Sequence, residues 1–318
     1  MHYAFPPRKT SNPPKPTRTN YLRRTRLQFF AVVALCVCLT LYLVSRLFGS
    51  TPTPPPVVVE YLTQAPRGQP NVVIVTPIDP ALSPSVKGIV QRNREDYAAR
   101  HGYKTFFPDP NTYHLSDAPK SWATVPAMRH AMTKFPQTPF FFFLGDHALI
   151  MNYDLSVEEH IMEKGRLESI MLTDIPVVPP DSVIKTFAHL KGDRIDFVLA
   201  QDKDGLACTS FIIRRGEWAK YFLDAWFDPL YRSYNFQKAE RHALEHIVQW
   251  HGTILAKLAL VPQKIMNSYT EKEASQAMAN GEYKDGDFII NLGECDRSPR
   301  SCEEEMQPYA EKLPKLER

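Results

Sequence analysis

The sequence predicts an α/β domain with a mostly parallel central sheet flanked by helices, preceded by one transmembrane helix. Three observations carry this. Residues 27–48 read LQFFAVVALCVCLTLYLVSRLF, nearly without charge and long enough for a bilayer, which takes about 20 apolar residues. Short apolar runs rich in valine and phenylalanine, NVVIVT (Asn71–Thr76) and FFFFL (Phe140–Leu144), have the continuous hydrophobicity of strands buried on both faces. Segments with helical spacing separate them, and alternating strands and helices imply a doubly wound sheet.

Charge orients the membrane segment. Residues 1–26 carry Arg8, Lys9, Lys15, Arg18, Arg23, Arg24 and Arg26 and no Asp or Glu. Such a tail stays cytoplasmic, so residues 71–302 are expected as a lumenal domain in single-pass type II topology. These seven positive charges within a total of +3 leave −4 for the remainder, which gives no sign of a nucleic-acid surface there. Residues 49–70 form a Pro-rich stem: the prolines of TPTPPP (Thr51–Pro56) forbid helix and central strand. Residues 303–318 are charged and are expected to be a loosely ordered tail.

Within the domain, a helix is expected over Ser85–His101 with Gly102 as its stop, then a strand at Tyr103–Phe107 and a helix over Ser121–Phe135. After FFFFL, Ala148–Met151 is a further apolar run. Ser156 and Glu159 make a capping box for the next helix. Strands follow at Asp196–Ala200 and Thr209–Arg214, helices at Gly216–Phe227 and Ala239–Trp250, and short strands at Leu258–Val261 and Asp287–Asn291.

Cys36 and Cys38 lie in the membrane segment, and Cys208 reads as a buried free thiol. Cys295 and Cys302 lie close together in a polar segment, and their pairing in an oxidising lumen stays open. No Cys/His spacing suggests structural zinc. Trp218, Trp226 and Trp250 fall on helices and read as core. His242 and His246 are four apart and share a face, read as a partner-facing polar stripe rather than a metal pair.

Ligands are expected beyond the C-terminal ends of the strands. Thr76-Pro77-Ile78-Asp79-Pro80 lacks the glycines of a dinucleotide turn or P-loop, which leaves room for folds that bind a nucleotide diphosphate through a metal held by acidic residues at a strand end. Gly145-Asp146-His147, at the end of the most apolar strand, offers a carboxylate and an imidazole for such a metal; the alternative is that Asp146 caps the next element.

Four ordered blocks between Asn71 and Cys295 resemble one family. They are Asn93–Tyr103 (NREDYAARHGY); Ser121–Met132 (SWATVPAMRHAM) with Phe140–Asn152 (FFFFLGDHALIMN); Gln201–Arg214; and Glu240–Leu244. The resemblance is to the galactosyl/mannosyltransferase family that includes fungal Golgi α-1,6-mannosyltransferase subunits of mannan polymerase and plant xyloglucan xylosyltransferases. It implies a GT-A-like nucleotide-sugar-binding domain in the Golgi membrane, using Mn2+ and retaining anomeric configuration. Within the family the fungal subunits look closest, which implies GDP-mannose as donor, an α-1,6-mannan backbone of N-glycans as acceptor, and other mannosyltransferase subunits in a hetero-oligomer. The matching positions imply Asp202 and Asp204 beside the donor sugar as catalytic residues, and Glu240–Leu244 as part of an acceptor-side helix. Thr76, Asn93, Arg94, Trp122 and Gln201 are implied as donor-binding, and Asp146 and His147 as metal ligands.

The departures from the family pattern are equally specific. Its Asp-x-Asp reads Gly145-Asp146-His147 here. Its metal-binding His near the C-terminus falls in Asn291-Leu292-Gly293-Glu294-Cys295. An Asn and a Gly become Ala207 and Thr209, and a Gln-Asp pair becomes Arg241-His242. Loss of charged oxygen ligands weakens a hard cation, so the alternative expectation is a catalytically degenerate subunit that stabilises an active partner.

Overall fold

A computed structural model describes residues 19–48, 63–115, 117–180, 182–234 and 236–314. The start of the basic tail (residues 1–18) and most of the expected stem (49–62) lie outside them. The chain divides into two compact units, residues 1–60 and 61–318. The first contains helix α1 (Thr19–Phe48), whose stretch Thr25–Ser45 has a mean hydropathy of 2.5 and is apolar on every side. A helix with no polar face has no reason to stay in water, and this one fits a single-pass membrane anchor.

The second unit is built on a six-stranded sheet. In chain order the elements are β1 (Val72–Val75), α2 (Pro84–His101), β2 (Lys104–Phe106), α3 (Thr124–Lys134), β3 (Phe140–Leu144), β4 (Ala148–Ile150), α4 (Lys164–Ile170), β5 (Phe197–Asp202) and β6 (Gly205–Arg214). Then come α5 (Glu217–Trp226), α6 (Pro229–Ser233), α7 (Ala239–Trp250), α8 (Gly252–Leu255), β7 (Leu258–Val261), α9 (Gln263–Met266), β8 (Ser268–Tyr269), β9 (Ile289–Asn291) and α10 (Cys302–Ala310). The sheet order is β2-β1-β3-β6-β5-β7, and β4-β9-β8 form a smaller second sheet. β6 runs antiparallel to both its neighbours, while the other strands of the large sheet share one direction. The mixed sheet arises from the hairpin at Lys203-Asp204. Gly205 there has φ +135°, and a Cβ would lie 1.9 Å from a Glu245 carboxylate oxygen, so only glycine closes this turn.

Strand alternation divides the core into two faces. Val73, Val75, Phe141, Phe143, Phe211 and Ile213 point to the side covered by α3, α5 and α7. Val72, Ile74, Phe140, Phe142, Leu144 and Ile212 point to the other side. All five residues of β3 are buried, and each phenylalanine so placed contributes roughly 1.5–3 kcal/mol. The sheet is therefore rigid where β1 and β3 end.

α2 starts with the Ser83 hydroxyl accepting from Val86 N–H and ends at Gly102 in the left-handed region, φ +69°. Ser156 caps as expected, its hydroxyl accepting from Glu159 N–H at 3.1 Å, but the first turn is a π-turn (Glu158–Met162) before α4.

Two expectations are corrected. Residues from Glu303 onward are not a loose tail: α10 runs to Ala310, with Ser301 as N-cap and Glu303, Glu304 and Glu305 in its first turn, where the helix dipole favours them. Arg300 pairs with Glu305 and Glu273, and Met306 is buried in a cluster with Val86 and Val90 of α2. Cys295 and Cys302 are joined as a disulfide at the helix start. Trp250, expected in the core, is 74 % exposed, while Trp226 is fully buried and Trp218 stacks on Phe222.

Candidate functional site

A pocket of about 320 Å³ opens beyond the C-terminal ends of β1 and β3, the position where open α/β sheets hold ligands. Asp146, His147, Asp79, Lys120, Ser121 and Asp296 contribute its polar lining. Asp146 and His147 are about one quarter exposed, with His147 Nε2 3.7 Å from Asp146 Oδ1. The other ring nitrogen, Nδ1, lies 3.1 Å from the Gly293 carbonyl. A carbonyl only accepts, so Nδ1 carries the hydrogen, and in the neutral imidazole Nε2 is the nitrogen with the lone pair. Gly293 has φ +56°, and a Cβ would lie 2.5 Å from the Glu273 side chain, so glycine is required where this carbonyl meets the imidazole. The Cys295–Cys302 sulfurs lie close to the same ring; as a disulfide they are not thiolate ligands.

α2 holds this loop from behind. Asn93 Nδ2 donates to Ile150 O at 2.8 Å, and its Oδ1 accepts from Ile150 N–H at 2.9 Å, so the amide pairs with β4 as a strand would. Arg94 Nη2 donates to Gly145 O and Nη1 to Asn93 Oδ1, both at 2.8 Å. Burial pushes the Arg94 guanidinium down to about 10, against the opposing pull of Asp146. Thr76 Oγ1 donates to Leu144 O at 2.7 Å and ties β1 to β3. These three residues are fully buried. The donor contacts expected of them do not fit that burial; they position Gly145 and Asp146.

Beneath Gly145 lies a neutral cluster. Gly145 N–H donates to Thr209 O at 2.8 Å. Asn291 Nδ2 donates to Thr209 Oγ1 (2.7 Å) and to Asn267 Oδ1 (2.9 Å), while Thr209 Oγ1 donates to the same Asn267 oxygen at 3.1 Å. Asn291 Oδ1 accepts from Gly293 N–H at 2.8 Å. The positions where the resembled pattern carries a carboxylate and a histidine are thus a bare glycine and an amide engaged with its neighbours.

The second acidic group, at the β5–β6 hairpin, is closed. Asp202 is 2 % exposed and accepts from Arg241 Nη2, from Tyr269 Oη at 2.6 Å and from Asp204 N–H at 2.8 Å. Burial works against the Arg241 charge, but Asp202 outweighs it and holds the guanidinium above its ordinary range. Burial likewise raises Glu245, which accepts from Leu206 N–H at 3.0 Å and pairs with Arg241 at 3.4 Å. Asp204 pairs with Lys238 at 3.1 Å. Gln201 donates to the carbonyls of Pro176 and Val177 (2.8 and 2.6 Å), and Trp122 is 1 % exposed with its ring against Phe227. Of the nine residues expected at the site, Asp146 and His147 line the pocket; the other seven do not.

Asp146 and His147 supply two donor atoms for a divalent cation, a number that leaves positions for a diphosphate, and the chemistry of that pair fits such an ion. Sequence reading missed Lys120 and Asp79, ion-paired at 2.6 Å across the mouth, and Asp296. Asp79 follows β1 and Lys120 precedes α3, so the order of elements was the available signal.

A solved glycosyltransferase involved in glycosylation of the major capsid of PBCV-1 shares the fold: TM-score 0.52 and 12 % identity over 75 % of this chain and all of that one. The architecture is GT-A-like. Among sequence relatives, an uncharacterized α-1,2-galactosyltransferase of Schizosaccharomyces pombe is 32 % identical over 67 % of this chain and 57 % of its own length. The probable α-1,6-mannosyltransferase MNN11 of Saccharomyces cerevisiae is 30 % identical over 77 % of this chain and 63 % of its own. The chain thus spans under two thirds of these relatives. Residues 68–303 match the model of the galactosyl transferase GMA12/MNN10 family, and this chain belongs to that glycosyltransferase family.

Proposed function

We propose that this chain transfers mannose from GDP-mannose to an α-1,6-mannan backbone of N-glycans, with retention, as one subunit of a hetero-oligomer of mannosyltransferases. In this reading it sits in the Golgi membrane through residues 27–48, type II, with the domain in the lumen. The observation that carries the reading is the pocket at the ends of β1 and β3, in which Asp146 and His147 offer a carboxylate and an imidazole lone pair 3.7 Å apart.

Asp146 Oδ1 and His147 Nε2 would hold Mn2+, which when bound neutralises the diphosphate leaving group. Gly293 fixes the histidine tautomer, and buried Arg94 fixes the Gly145 carbonyl and adds positive potential behind the pocket. Lys120 can leave Asp79 for a phosphate oxygen, since its side chain is 61 % exposed. The sugar C1–O bond to the diphosphate breaks, C1 bonds an acceptor hydroxyl oxygen, and the hydroxyl proton passes to the leaving diphosphate.

The test is turnover by the full-length chain in detergent with GDP-mannose and an α-1,6-linked mannobiose acceptor, the product linkage read by NMR. A new α-1,6-mannosyl bond is expected. Galactosyl transfer from UDP-galactose in its place would overturn the donor assignment.

A second reading has its own support: bare Gly145 and an engaged Asn291 stand where the resembled pattern has metal ligands, and Asp202 is tied up by Arg241. A catalytically degenerate subunit that stabilises an active partner predicts no product from this chain alone, and unchanged product from the complex when Asp146 and His147 are both alanine.

A further inference from the structure

The carbonyl that sets the His147 tautomer is itself held from outside the pocket. Leu292 N–H donates to His147 O at 2.8 Å and Gly293 O accepts from Nδ1 at 3.1 Å, so the segment after β9 grips the histidine by backbone and ring together. The peptide unit between these two residues is fixed at both ends. Its N–H, that of Gly293, donates to Asn291 Oδ1 at 2.8 Å, and its carbonyl, that of Leu292, accepts from Arg300 Nη2 at 2.9 Å. A peptide unit is planar, so with that plane fixed only φ and ψ of Gly293 aim its carbonyl. The Glu273 side chain lies against Gly293 and limits both.

Arg300 uses all three nitrogens of its guanidinium here. Nε and Nη2 donate to the two Glu305 oxygens at 2.9 and 2.7 Å, Nη1 donates to Glu273, and Nη2 also reaches Leu292 O. Both glutamates are buried. The hydrogen bonds with Glu305 hold the guanidinium above its ordinary range and the Glu305 carboxyl below its own. The fork is planar, so the bonds to Glu305 and Glu273 also fix the direction of the one to Leu292. α10 has other ties to the domain: the Cys295–Cys302 disulfide, the buried Met306, and Lys272, which pairs with Glu305 at 2.9 Å.

We infer that Arg300 is a positioning residue for His147. By locking the Leu292–Gly293 peptide it aims the Gly293 carbonyl at Nδ1, and a neutral ring that donates from Nδ1 has its lone pair on Nε2, the nitrogen beside Asp146. Arg300 does not line the pocket, so it sets the pair without contributing a group to it. Lysine would keep the charge as a single point and lose the directed fork, which separates positioning from charge alone. The consequence for a cation rests on the reading of Asp146 and His147 given above; the tautomer does not, since it is a property of the metal-free ring.

The test is the ring-nitrogen NMR signal of His147 in the full-length, metal-free chain in detergent micelles, isotope-labelled at histidine and held at about pH 8, where an ordinary histidine is neutral. His147→Gln identifies the signal. The unaltered chain should show the Nδ1–H form. Arg300→Lys should shift the ratio of the two tautomers about fivefold toward Nε2–H, the effect of one hydrogen bond, with an unchanged circular dichroism spectrum. Arg300→Gln should shift it in the same direction and replaces the lysine variant if that one does not fold. His160, whose ring meets Ile265 O at 3.1 Å, is the internal reference and should not move. A dominant Nε2–H signal in the unaltered chain overturns the assignment, and so does a His147 signal unmoved in the arginine variants. Movement of His160 together with His147 overturns it in favour of a general loosening of the domain. Reduction of the disulfide should leave the signal of the unaltered chain in place; a shift there, with none in the arginine variants, gives the role to Cys295–Cys302 instead. A shift in the arginine variants, with no Mn2+ binding by the unaltered chain, sinks the cation reading and leaves the positioning role standing.

Discussion

The loop Gly145-Asp146-His147 and the hairpin Asp202–Gly205 both place carboxylates where strands of the large sheet end, and they differ in everything that decides chemistry. Asp146 faces a pocket, is partly exposed, and has a histidine lone pair beside it. Asp202 is buried, and its oxygens are taken by Arg241, Tyr269 and the Asp204 backbone. An ionised side chain held in this way is part of the scaffold, since a buried pair is held by mutual compensation and loses heavily when one member is removed. Residue type at a strand end therefore does not assign a role; exposure and engaged partners do.

The largest expected effect breaks the closed site. Asp202→Ala would leave Arg241 buried without its carboxylate, and urea unfolding of the full-length chain should show a loss of about 3–5 kcal/mol. A loss below about 1 kcal/mol would mean that the network is not structural. Gly205→Ala should cost about 3 kcal/mol in the same assay, because the added Cβ meets Glu245 at a positive φ.

The open site should answer in binding rather than stability. A Cβ at Gly145 meets Thr209 only at ordinary contact distance, 3.4 Å from its carbonyl oxygen, so Gly145→Asp is accommodated. Restoring that carboxylate should tighten Mn2+ by about tenfold in a calorimetric titration. Unchanged affinity would show that the cation does not sit beside Gly145. Asp146→Ala should cost about 1 kcal/mol, less than Asp202→Ala, because the side chain is partly exposed and packs little but offsets part of the charge of buried Arg94.

The framework of the domain was legible because its signals are local. VVIV and FFFFL could be little else than buried strands, Gly102 stops α2, and α7 begins and ends where its apolar period does. What escaped depends on partners distant in sequence. Asn93, Arg94 and Gln201 look like ligand-binding polar residues until Ile150, Gly145 and Val177 are seen to take their hydrogen bonds. Glu305 looks solvated until Arg300 and the disulfide fix it at a helix start. Trp250 was within reach of the same helical period: Ala243, Leu244, Ile247 and Val248 define the inner face of α7, which leaves 242, 246 and 250 outside.

The central claim is that the open site, and not the closed one, takes the nucleotide sugar. Calorimetric titration of GDP-mannose into the full-length chain, with and without Mn2+, tests it most directly when repeated on Asp146→Ala, His147→Ala. The account predicts metal-dependent binding that the double variant loses while its circular dichroism spectrum shows that it stays folded. Binding that ignores both the metal and the double variant would contradict it.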